Sequence, residues 1–196
     1  MAVAIVIALR LVLPLSILRW PLAGGLLAMA IDAFDVVLVE GLARVFGESP
    51  EFGPLYPQID KWLDTYYLSL ELVVTRRWTD ALLRRTALVL FAWRIAGVVL
   101  FELTSIRQVL VVFPNLFENF YLYVLIMARV APRLVPRTAR QLVLVLVVLY
   151  IPKAIQEWVL HAEQLRPWQW IRDTLLRPWL EDGEANRSAR PNPPGS

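Results

Sequence analysis

Seven carboxylates stand in segments otherwise apolar enough to be buried: Asp32, Asp35, Asp60, Asp64, Glu71, Glu102 and Glu118. Only Arg10 and Arg94 bring positive charge into similar surroundings. A low-dielectric interior cannot keep several unpaired carboxylates ionised, so they must take up protons, hold cations or face water. The excess points to protons or small cations rather than anions. Two ion pairs are expected from depth. Counted at about 1.5 Å per residue, Arg10 and Asp32 lie equally far from the turn at Trp20, and Arg94 and Glu118 nearly equally far from a polar hinge at 105–108. Antiparallel helices would hold each pair at one level, where it fixes helix register. Asp35 and Asp64 have no basic residue at a matching depth. Asp35 is therefore expected to face a wet cavity, and Lys61 points about 60° away from Asp64 at 100° per residue.

Two known arrangements bear on these carboxylates. Asp32-x2-Asp35 and Asp60-x3-Asp64 resemble the two carboxylate pairs of the CDP-alcohol phosphotransferases, which carry D-x2-D-G-x2-A-R-x8-G-x3-D-x3-D over two helices of a six-span protein. The chain departs from that pattern elsewhere. Val36 and Tyr56 stand where glycines belong, Ala43-Arg44 comes too late, and the pairs are too far apart. It is not assigned to that family. Four such carboxylates could nonetheless hold divalent ions for phosphoryl chemistry. The second arrangement is that of transporters, whose sites lie at broken helices near the midplane. Pro114 and Asn115 would make such a polar helix break beside Glu118. No catalytic residue is assigned: no serine-hydrolase elbow, HExxH, P-loop or dinucleotide fingerprint is present. Which cofactor or metal the chain takes, if any, is not legible.

The elements that must position these groups are long apolar segments. Of 196 residues 58% are hydrophobic and 19% charged, and the mean hydropathy is +0.53. These values favour a polytopic helical membrane bundle over a soluble domain. The chain has no cysteine and one histidine, His161, which removes disulfides, thiolate metal sites and multi-imidazole centres. The net charge of +3 is spread over loops and gives no support to nucleic-acid binding. Six spans are expected over about 2–18, 22–39, 59–75, 86–106, 109–128 and 141–158. The first is read as retained rather than as a cleaved signal, because Arg10 sits within its apolar run instead of before it. Gly24 and Gly25 either loosen the second span or admit a close neighbour. On the third, Asp60, Asp64, Tyr67 and Glu71 form one acidic stripe, which faces protein if the helix spans. The alternative is an amphipathic helix lying on the membrane surface, and spanning is favoured because such a helix would normally be basic.

Arginines crowd the loops at 76–85 and 129–140, which the positive-inside rule places in the cytoplasm. Lys153, Glu157 and His161 make a drifting stripe at the end of the last span, read as an interfacial ion pair. The bundle is expected to occupy 1–162, followed by an interfacial Trp/Arg-rich amphipathic segment at 163–180 and a disordered tail at 181–196. The partners implied are the lipid bilayer and either a homo-oligomer or a larger membrane complex. The expected function is movement of a proton or small cation through a carboxylate-lined interior of a multi-pass plasma-membrane protein. The alternatives are a non-catalytic structural or accessory subunit, and a metal-dependent lipid head-group enzyme.

Overall fold

The computed structural model describes residues 1–48, 56–104, 106, 109 and 112–161, with side chains described except at 57 and 155–161. The segments expected at 163–180 and 181–196, and the side chains of Glu157 and His161, lie outside the described residues, as does most of the hinge at 105–108. Within them every regular element is helical: α1 (Ala2–Val12), α2 (Pro21–Ala33), α3 (Asp35–Phe46), α4 (Tyr56–Thr75), α5 (Ala81–Thr104), α6 (Leu116–Val130) and α7 (Ala139–His161), with 3-10 turns at Leu13–Leu18 and Pro132–Leu134.

The boundaries follow from local chemistry. Pro21 opens α2 at its first position, where the missing N–H costs nothing. The Asp80 carboxylate accepts from the Leu82 and Leu83 amides at 2.8 and 3.1 Å, so α5 starts five residues before the expected 86 and takes Arg84 and Arg85 into its first turns. Asn115 caps α6, accepting from the Glu118 amide. Residues 109 and 112 are also helical, so Pro114 and Asn115 fall at a break inside the span expected at 109–128, and the helix resumes at Leu116. Gly47, with φ 67°, ends α3 in the left-handed conformation that glycine adopts without strain. Beside it, Glu48 accepts from the Met1 ammonium at 3.0 Å, which holds its carboxyl below the usual range.

The expected second span at 22–39 is not continuous. It divides at Phe34 into α2 and α3, bent by 66°. Among the described residues, α5 is the one helix long and apolar enough by itself to cross a membrane, and the bent α2–α3 pair passes the same test taken together.

α6 is the centre of the bundle, packing on α2, α4, α5 and α7. Phe117, Phe120 and Tyr121 have no exposed surface. Trp78 stacks on Tyr121 and meets Phe120 edge-on, and Phe91 meets Phe117 edge-on. Two glycines permit close approach. A Cβ on Gly24 would strike the backbone at Ile17, and one on Gly25 would lie 3.0 Å from Tyr121 and 3.1 Å from the Glu71 carboxylate. Close packing, not loosening of the helix, is thus what these glycines provide. Large apolar side chains remain exposed outside, among them Val89 and Leu103 on α5 and Val143, Leu144 and Val148 on α7.

Candidate functional site

The first turns of α4 and the junction of α2 with α3 converge on one guanidinium, that of Arg10 in the last turn of α1. Arg10 Nη1 donates to Asp35 at 2.9 Å and to Asp60 at 2.6 Å, while Nη2 donates to Asp64 at 2.7 Å and to Asp32. Each terminal nitrogen has two hydrogens, so all four find a different carboxylate. The Arg10 side chain is 3% exposed. Asp32 and Asp60 keep 30% and 27% of their side-chain surface, so the cluster is closed behind and open in front. Lys61 Nζ lies 3.5 Å from Asp60 and 3.9 Å from Asp64. With four carboxylates ionised against Arg10 and Lys61, the formal charge is −4 + 2 = −2. Asp32, Asp60 and Asp64 each offer an oxygen within 4.8 Å of the others, a spacing that a divalent cation can bridge.

The break at Phe34 shapes this cluster. It leaves Asp32 in the last turn of α2 and makes Asp35 the first residue of α3, where a carboxylate meets the positive end of the helix dipole. The Tyr56 hydroxyl donates to Asp35 at 2.6 Å. Sequence reasoning missed this tyrosine, which falls just outside the apolar run that marked the third span. The expected pairing of Arg10 with Asp32 is present. Asp35 and Asp64, expected to lack partners, are both bound to Arg10.

Behind the cluster the acidic stripe of α4 runs inward as expected, and exposure falls along it from Asp60 and Asp64 to Tyr67 at 4% and Glu71 at 0%. The Tyr67 hydroxyl donates to Glu118 at 3.0 Å, and the Asn115 amide donates to the other oxygen of the same carboxylate at 3.0 Å. Glu71 is different. Both of its oxygens are buried without a hydrogen-bond partner.

Two expectations fail here. Arg94 and Glu118 are both buried, but no ion pair joins them among the described residues. Arg94 Nη1 instead donates to the Phe113 carbonyl at 3.1 Å, while its Nε has no partner. Equal depth left their angular positions undetermined. Glu102 is not interior at all: it is exposed on α5, beside Lys61 and Val99.

Compared with protein-family models, curated proteins and solved structures, the chain matches none.

Proposed function

We propose that this is a multi-pass protein of a bacterial-type plasma membrane that moves a proton or small cation through its carboxylate-lined interior. The observation carrying the transport reading is Glu71, a carboxylate with no exposed surface and no hydrogen-bond partner. Burying a charge without compensation costs several kcal/mol, and ionisable groups at membrane depth are by default functional. Glu71 also continues a row. From Asp60 to Glu71 the stripe spans 11 residues, roughly 16 Å of helix. That is about half of a 30 Å hydrocarbon core. On this reading the ion or proton enters at the partly open Asp32 and Asp60, passes Asp64 and Tyr67, and reaches Glu118 and Glu71. The helix break at Phe34 falls on the entry carboxylates, the place where discontinuous helices put transporter sites.

Embedding in six spans is supported by the apolar outward faces of α5 and α7 and by the length of α5. In this cysteine-free chain, Thr79→Cys and Thr138→Cys should each label only from the cytoplasmic side of intact cells. Labelling of either from outside overturns the arrangement.

The functional test is flux in proteoliposomes. Glu71→Gln keeps the shape and removes the charge, so it should abolish proton- or cation-dependent flux while leaving thermal stability unchanged or raised. Wild-type protein without flux refutes transport. Two other readings each have an observation in their favour. Arg10 binding every aspartate of the cluster favours a structural or accessory subunit of a larger membrane complex. The carboxylate triad of Asp32, Asp60 and Asp64 favours a metal-dependent lipid head-group enzyme.

A further inference from the structure

Glu102 has no role in that interior. It sits in the last turn of α5, where the negative end of the helix dipole disfavours a carboxylate. Apolar neighbours surround it on an exposed face, and among the described residues it makes no ion pair. It lies at the mouth of a groove of about 210 Å³ between α4 and α5. These helices are joined by the short loop 76–80, so the start of α4 and the end of α5 lie at the same end of the bundle. Lys61 and Glu102 therefore share one rim, while Trp62, Ile95, Val98 and Val99 line the remainder.

We infer that this groove binds a phosphatidylethanolamine-type lipid, with an acyl chain along Val98 and Val99, phosphate at Lys61 and ammonium at Glu102. The charge pattern selects the head group. A cation and a carboxylate on one rim complement a zwitterion, and Glu102 can accept hydrogen bonds from a primary ammonium but none from choline. Trp62 is 71% exposed at the rim, an aromatic at the level where such rings meet head groups. The site touches the aspartate cluster through Lys61, which lies 3.5 Å from Asp60. A phosphate drawing Lys61 away would make the cluster more negative by one charge and increase its hold on a cation.

This inference rests on the membrane reading and not on transport. The test uses the full chain in nanodiscs containing phosphatidylethanolamine with a photoactivatable acyl chain, or the phosphatidylcholine counterpart. Adducts should concentrate on Trp62, Val98 and Val99. Val98→Trp, which fills the groove, should remove most of them. Glu102→Gln, an exposed change that leaves packing intact, should lower the ethanolamine-over-choline preference by up to about fivefold, the upper range for a water-accessible ion pair. Adducts spread evenly over the outer faces of α5 and α7 would overturn the groove while leaving the membrane reading intact. Labelling on neither helix would overturn both. An unchanged preference in Glu102→Gln refutes the head-group assignment, and a cross-link between copies at Trp62→Cys shows the groove filled by protein instead.

Discussion

Arg10→Leu is the most demanding test of the cluster. The substitution removes contacts to Asp35, Asp60 and Asp64 at 2.9, 2.6 and 2.7 Å, together with the contact to Asp32. Charge-assisted hydrogen bonds contribute about 1.5–3 kcal/mol each, so simple addition gives roughly 6–12 kcal/mol. That sum is too large, because Asp32 and Asp60 are 30% and 27% exposed and water can replace the guanidinium there. A loss of about 3–5 kcal/mol, typical of stranding a buried partner, is expected. For a chain of this length each kcal/mol shifts Tm by about 2–4 °C, so the fall should be roughly 6–20 °C. Tryptophan fluorescence of purified protein on heating reads it directly. Arg10→Lys should fall between wild type and Arg10→Leu, since an ammonium has three donors and no fork. Millimolar Mn2+ should restore part of the Arg10→Leu loss, because Asp32, Asp60 and Asp64 are then free to hold the ion with oxygens within 4.8 Å. Adding Asp64→Asn should abolish that rescue. A Tm fall under about 2 °C in Arg10→Leu would refute the account of a buried four-carboxylate hub.

Other expectations concern packing and caps. In double-mutant cycles, Tyr67→Phe with Glu118→Gln should show coupling of about 1 kcal/mol from their 3.0 Å hydrogen bond. Arg94→Leu with Glu118→Gln should couple less, and the reverse order in denaturation cycles would restore the Arg94–Glu118 pair. Gly97→Val should destabilise by about 1–3 kcal/mol, because its Cβ would collide with Phe113. Gly41→Ala meets nothing within 4 Å inside α3 and should stabilise by about 0.5–1 kcal/mol; equal Tm values for the two glycine variants would contradict both. Asp80→Ala should cost about 1 kcal/mol through loss of the α5 cap, measured as a lower Tm.

What the sequence determined by itself is local and periodic. Long apolar segments specified an all-helical chain. The spacing of Asp60, Asp64, Tyr67 and Glu71 placed them on one face of α4, because helical angles depend only on residue number. The caps at Asp80 and Asn115 were also legible in principle, an Asp or Asn directly ahead of a helical run, yet hydropathy alone started α5 too late and ran the next span across the Asn115 cap. Counting residues from a turn supplied depth, which was enough to match Arg10 with Asp32. Depth is one coordinate. Rotation about each helix axis is set by side-chain packing between helices, so Arg94 and Glu118, matched by depth in the sequence, bond to other partners instead. The same limit hid the hub: matching by depth allows one partner per charge, whereas a guanidinium with four terminal hydrogens can collect four. Only the bend at Phe34, with α1 lying against α2, α3 and α4, brings carboxylates separated by 32 positions in the chain to one arginine.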